Sequence, residues 1–471
     1  MRPDVTELAK YGRQPPLPYR ASWLEVDGLL QVEQWLRILP GKRYVGRAIW
    51  QGQEVLVKLF VGARAARKAT AEVEGYERLT TAGLKTPAML AHGALSDGQG
   101  AWVIVRFIPE SRTLAQASGF DIIPECTRPL DESRRLVAEV ISSIAGLHQK
   151  GLRQQDIHPG NFLLAEGQCW IIDTADVLPI DDDQQAVANL AVFLAQLPEK
   201  LWKDAWSLYQ QLTSAVAEYG RVAALAHEWQ AWRARDLADK SVRDCSLFQV
   251  ETGATFFRAV WRTESDLISP LLEDLDGALA TATLLKDGGS ATVGLVDWQG
   301  RQLVIKRYNL KGLGHRLKRC WRPTRAWHSW QAGHRLRVLG INTPRPLAMV
   351  EERCGPLRGR GFLITEVADG EDLGGAAQQA DSGQLQSMGA AVKAMLKVMV
   401  CHRISHGDFK ATNLLWGEAL TMIDLDAVRW HNKFNVWRKA FNKDTARLLR
   451  NWADGSREHQ CFKDAIDNVE S

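Results

Sequence analysis

Four chemically distinct landmarks recur along this chain with nearly one displacement. Lys58 and Lys306 lie 248 residues apart, Asp156 and Asp408 252, Asn161 and Asn413 252, and Asp173 and Asp424 251. Such a repeat constrains the fold more than any composition value, because each copy must build the same unit. At 471 residues the chain is also too long for one ordinary core. The expectation is two tandem domains, 1–264 and 265–471.

Each half begins with short apolar runs joined by turns. Residues 36–39, 44–50 and 55–60 read as three antiparallel strands, and 280–285, 292–298 and 303–306 repeat them. A helix is expected over 63–82, stopping at Gly83 before Thr86-Pro87. A long basic helical region likewise stops at Gly340 before Thr343-Pro344. Buried strands follow at 102–107 and 362–366. Amphipathic helices at 133–150 and 385–399 then deliver the chain to the two aspartate loops. The segment 183–240 reads as helical. The fold class is therefore α+β, with a small antiparallel sheet followed by helices in each half.

The loops carry the chemistry. The second reads His406-Gly407-Asp408-Phe409-Lys410-Ala411-Thr412-Asn413, with Ile423-Asp424-Leu425-Asp426 after it; the first runs from Asp156 to Leu164 and ends at Asp173. An aspartate, an asparagine five residues on, and a second aspartate after an apolar strand are groups that phosphoryl transfer from ATP requires. One carboxylate orients the attacking hydroxyl, and the amide and second carboxylate hold Mg²⁺. Aspartate and asparagine also cap helices and make turns, but two copies with one spacing are hard to explain that way. Lys58 and Lys306 close strands where a phosphate-binding lysine belongs, although a lone strand-end lysine is usually a solvated residue. Gly288-Gly289 precedes Lys306 as a candidate phosphate loop; such a pair serves a hairpin turn equally well.

Both halves resemble the kinase-like superfamily that includes aminoglycoside phosphotransferases and choline kinases. The second half more specifically resembles the lipopolysaccharide kinase family, through 304–309, 339–348 and 406–413. The resemblance implies two tandem protein-kinase-like bilobal domains binding ATP and Mg²⁺. It implies that Asp156 and Asp408 orient and deprotonate a sugar hydroxyl, that Asn161, Asp173, Asn413 and Asp424 hold the metal, and that Lys58 and Lys306 contact ATP. Glu72 is the expected helix partner of Lys58, with Glu74 the second candidate. No acidic residue lies between Lys306 and Gly340, and Ser329 falls where that glutamate would align. Lys306 is then either positioned differently or serves a weaker enzyme. The implied acceptor is a sugar of the lipopolysaccharide core. A small-molecule phosphotransferase, or a regulatory pseudokinase in one or both halves, stays open as an alternative. A protein kinase is disfavoured because no A-P-E segment follows either metal aspartate.

Charge is concentrated. Residues 301–340 hold 11 Lys/Arg and no Asp or Glu, so the remainder carries 48 basic against 55 acidic residues. With Trp321, Trp327 and Trp330 in the same stretch, it reads either as a solvated face or as a contact for an anionic membrane surface. Nucleic acid is not expected, since no recognition motif accompanies the charge. Seven scattered cysteines without a C-x-x-C pair argue against disulfides and zinc. No apolar run approaches the ~20 residues that cross a bilayer. These readings place the protein in the cytoplasm, with 301–340 a candidate contact to the inner face of the membrane.

Overall fold

Alternating burial organises the first sheet. The computed structural model describes residues 5–22, 24, 28–120, 128–309 and 321–469. Strands β1 (Tyr19–Arg20), β2 (Leu30–Leu39), β3 (Arg43–Trp50) and β4 (Gln53–Val61) are successive antiparallel neighbours. In β3 every second residue, Tyr44, Gly46 and Ala48, is buried, as a pleated strand with one covered face requires. From Val57 onward β4 is buried on both faces, because helix α1 (Ala65–Thr81) packs Val73 and Tyr76 against Phe60. The helix ends at Gly83, whose φ of 70° suits a residue without a Cβ. Strands β5 (Met89–Ala94) and β6 (Gly100–Arg106) complete a sheet of order β1-β2-β3-β4-β6-β5.

The helical part of this unit holds α2 (Leu130–Gln149), a hairpin of β7 (Phe162–Ala165) and β8 (Gln168–Ile171), α3 (Asp183–Leu194) and α4 (Trp202–Thr213). Val140, Ile144, Leu147, Leu190, Phe193 and Trp202 form its core. One close approach ties sheet to loop. A Cβ on Gly75 of α1 would lie 1.9 Å from the carbonyl oxygen of Thr174, so only glycine lets the helix rest on the turn after Asp173.

The chain divides between Trp229 and Gln230, within α5 (Tyr219–Lys240). This lies upstream of the expected boundary at 264/265. The cause is non-local pairing: β9 (Phe248–Thr252) and β10 (Phe256–Trp261) join the second unit's sheet, where Ala259 pairs with Met349. The expected strand over 280–285 begins later, as β11 (Thr283–Gly288), because Asp274 caps a short helix, Leu275–Ala280. Then come β12 (Ala291–Trp298), β13 (Arg301–Tyr308), α6 (Arg325–Val338), β14 (Pro346–Cys354) and β15 (Leu357–Glu366).

The sheet order is β9-β10-β14-β15-β13-β12-β11. Read from the other edge, β11-β12-β13-β15-β14 has the order of β2-β3-β4-β6-β5. One sheet is extended by β1 at its start, the other by β9 and β10 beyond β14. Helix α7 (Ser382–Cys401) buries Leu385, Met388, Val392, Met395 and Met399, the face expected from their spacing. The short strands β16 (Leu414–Trp416) and β17 (Leu420–Met422) precede α8 (Phe434–Leu449) and α9 (Arg457–Asp467). Among the described residues, no helix is long and apolar enough to cross a membrane.

Candidate active site

Both aspartate loops are built by the same backbone bonds. In the second unit Asn413 Nδ2 donates to the Asp408 carbonyl at 2.8 Å, and Ile423 N donates to the Asn413 carbonyl at 2.9 Å. In the first, Asn161 Nδ2 donates to the Asp156 carbonyl at 2.8 Å, and Ile172 N to the Asn161 carbonyl at 2.9 Å. Asp424 and Asp173 follow, each in the left-handed region with φ of 61° and 57°. A non-glycine residue there is uncommon, and aspartate tolerates it because its short side chain can bond locally.

His406 and Gln154 occupy matching places and do the same work. His406 Nε2 donates to the Ile423 carbonyl at 3.0 Å while Nδ1 accepts from Asp408 N at 3.3 Å. Burial lowers its pKa, so the imidazole is neutral with the proton on Nε2. Gln154 Nε2 donates to the carbonyls of Ile172 and Asp173 at 2.7 and 2.8 Å. Either side chain pins the aspartate loop to the strand before the second carboxylate. Neither needs to move a proton.

Lys58 and Lys306 are held by different acids. In the first unit Lys58 pairs with Glu72 on α1, as expected, and Glu72 is fully buried and also accepts from Thr174 N at 3.2 Å. In the second, Lys306 Nζ lies 2.5 Å from Asp424 Oδ1 and 2.9 Å from Asp426 Oδ1. Asp426 further accepts from Tyr308 OH at 2.8 Å and Ser329 Oγ at 3.1 Å, and Arg325 Nη1 lies 3.5 Å from its second oxygen. Ser329 thus stands on the helix near the lysine, and the carboxylate comes from the loop after Asp424. Burial opposes the charge on Lys306, but Tyr308, Asp426 and Asp424 outweigh it and hold the ammonium above its ordinary range. Burial likewise raises the Asp424 carboxyl, and Lys306 more than reverses this.

Four further groups were not singled out from the sequence. Asp444 on α8 is buried and accepts from His406 N at 2.6 Å and Gly407 N at 3.0 Å, fixing the approach to Asp408. Arg447, one turn later on the same helix, pairs with Asp408 Oδ1, and Lys410 Nζ lies 3.4 Å from Oδ2. In the first unit Arg43 Nη1 bonds Asp173 Oδ1 at 3.1 Å. Apart from Lys410, two residues from Asp408, these groups lie far along the chain from their partners, so no local spacing announces them.

The Gly288-Gly289 pair forms part of a tight β11–β12 hairpin. Gly288 pairs with Ala291, and its carbonyl accepts from Asn309 Nδ2 at 3.2 Å. In the basic stretch, Trp330 is fully buried and Trp327 packs on Phe257, whereas Trp321 is exposed. Arg301 pairs with Glu264 and Glu366, and Arg307 with Asp276. Lys311, Arg316, Lys318 and Arg319 lie outside the described residues.

Comparison with known proteins fixes the family. Residues 286–465 match the lipopolysaccharide kinase (Kdo/WaaP) family. That stretch belongs to the family. This lipopolysaccharide kinase domain contains every residue of the second site, from Lys306 to Asp426 and Arg447. The chain is 25% identical over 183 residues to 3-deoxy-D-manno-octulosonic acid kinase of Vibrio vulnificus (strain YJ016), covering 35% of this chain and 76% of that protein. Among solved structures, WaaP in complex with acyl carrier protein is similar at 19% identity and a TM-score of 0.33, over 44% of this chain and 88% of that one. WbdD bound to a kinase inhibitor gives 20% identity and a TM-score of 0.31, over 45% and 47%.

The residues of the lipopolysaccharide kinase domain fit a magnesium ion. Asn413 directs its N–H₂ group to Asp408, which leaves its carbonyl oxygen, with the Asp424 carboxylate, as the donors for a cation. Hard oxygen donors of this kind suit Mg²⁺.

Proposed function

We propose that the protein transfers the γ-phosphoryl group of ATP to a hydroxyl of a lipopolysaccharide core sugar, and that the second unit carries the reaction. The observation that supports this most is the convergence of Asp408, Asn413, Asp424 and Lys306 within a lipopolysaccharide kinase domain. Asp408 orients the acceptor hydroxyl and takes its proton. Lys306, held by Asp424 and Asp426, contacts the phosphates. Asn413 and Asp424 hold Mg²⁺, which when bound screens the charge on the phosphates. The Gly288-Gly289 hairpin covers them. Arg447 and Lys410, both beside Asp408, suit an acidic sugar, and the Vibrio relative is named for one.

The test is direct. Purified full-length protein, ATP and Mg²⁺ are offered dephosphorylated lipopolysaccharide core or soluble sugars and aminoglycosides. Label is expected on the core alone. Turnover of a soluble antibiotic or choline, with the core untouched, would reject the acceptor class.

A glycolipid acceptor also gives the basic stretch a role at a membrane surface on the cytoplasmic side. Several described cations of 301–340 already pair internally, so the contact rests on exposed Trp321 and the lysines and arginines of 310–320. Sedimentation with anionic vesicles is expected to fall steeply with salt and with Arg316→Ala/Lys318→Ala/Arg319→Ala. Binding unchanged by that triple substitution would remove the membrane from the proposal.

A further inference from the structure

The first unit gathers more positive charge around its second aspartate than a metal ligand needs. Asp173 Oδ1 bonds Arg43 Nη1 at 3.1 Å and lies 3.7 Å from Lys58 Nζ, and Oδ2 lies 3.9 Å from Arg37 Nη1. Lys58 is already matched by Glu72. Two guanidiniums therefore face one carboxylate. In the second unit Lys306 and Arg325 face two carboxylates, Asp424 and Asp426.

The surplus continues outward. Lys68 in the first turn of α1 is held below its ordinary range by burial and by Lys42, Arg43, Arg64 and Arg67. Of these cations Arg43 also lines a cavity, together with Arg37 and Lys58. The cavity has a volume of about 390 Å³ and pairs an apolar wall of Val45, Val105, Phe107 and Leu163 with Arg37 and Arg43. An apolar slot that opens onto guanidiniums matches a base joined to a run of phosphates. A divalent cation on Asp173 would instead have to displace Arg43 or sit against its charge. Asp424 carries one ammonium in the same way, but Asp173 carries two guanidiniums besides, and those two can supply the charge that a cation would.

We infer that the first unit is a nucleoside triphosphate-binding site that needs no divalent cation, with Arg43 and Arg37 taking the phosphate charge. This concerns the first unit alone and stands whatever acceptor the second unit uses. Arg43 and Arg37 leave Asp173 for the phosphates when the nucleotide enters, and Asp173 serves to hold them in place beforehand.

The experiment is a titration of the full chain with mant-ATP, in excess EDTA and again in Mg²⁺. Saturable binding is expected in EDTA and is retained in Lys306→Ala, which disables the other site. Arg37→Ala/Arg43→Ala is expected to weaken the EDTA binding roughly 10- to 100-fold, the value of one or two charge-assisted hydrogen bonds. Asp173→Asn should keep or tighten it, because the arginines are released, whereas a metal site would lose its ligand. That near-isosteric change also decides the matter if the double arginine variant does not fold. Absence of binding in EDTA overturns the inference. So does EDTA binding that is abolished by Lys306→Ala or Asp173→Asn, or that ignores the loss of both arginines in a folded variant.

Discussion

Asp408→Asn is expected to lower kcat/KM for phosphate transfer by roughly 10³-fold while leaving nucleotide binding within a few-fold. The substitution keeps the volume and the hydrogen bond from Asn413 but removes the carboxylate that orients the hydroxyl and takes its proton. Because Asn413 bonds the Asp408 backbone as well as its side chain, the loop geometry should survive. Circular dichroism and melting temperature check that it does. Asp156→Asn is the comparison. Asp156 is exposed, and it is its backbone carbonyl that Asn161 holds. A loss at Asp156 as large as that at Asp408 would move the reaction to the first unit and sink the assignment.

Much of the site was legible in the sequence because it is local. Asp408, Asn413 and Asp424 fall within seventeen residues, one loop and one short hairpin, and the spacing alone brings them together. The Lys58–Glu72 pair was legible for a similar reason: a strand end, a short link and two turns of helix separate them. Lys306 shows where this reading stops. Its partners lie 118 and 120 residues downstream, so a search of the following helix finds only Ser329.

Non-local contact also explains why the chain divides where it does. Residues 248–261 precede the expected boundary, yet β10 pairs with β14, some ninety residues later. The basic stretch looks different along the chain and in space. Counted along the chain, 301–340 is an unbroken cationic run. In space, Arg301, Lys306, Arg307 and Arg325 meet acids supplied by 264–276, 366 and 424–426. A charge run in sequence is a surface field only if the fold leaves it unpaired.

Asp426→Ala is expected to lower kcat/KM by roughly 10- to 100-fold, with the larger share in nucleotide affinity. Asp426 gathers Lys306, Tyr308, Ser329 and, at longer range, Arg325 around one carboxylate. Its loss would leave Lys306 with Asp424 as its one remaining acid, so the ammonium would compete undivided for the carboxylate that should hold the metal. The effect stays modest because Asp426 is about one-fifth exposed, so water screens part of the field. The first unit suggests the rescue. There the acid that holds the lysine comes from the helix, at Glu72, and Ala175 stands two residues after Asp173, where the second unit has Asp426. Asp426→Ala/Ser329→Glu therefore moves the charge back to the helix, while the smaller side chain at position 426 makes room. It should recover roughly tenfold of the lost kcat/KM, since the ion pair is remade from the other side. Kinetics of Asp426→Ala equal to wild type would show that Lys306 needs no second acid. Failure of Ser329→Glu to recover any activity in a folded double variant would show that the carboxylate's position, and not only its charge, is what the second unit requires.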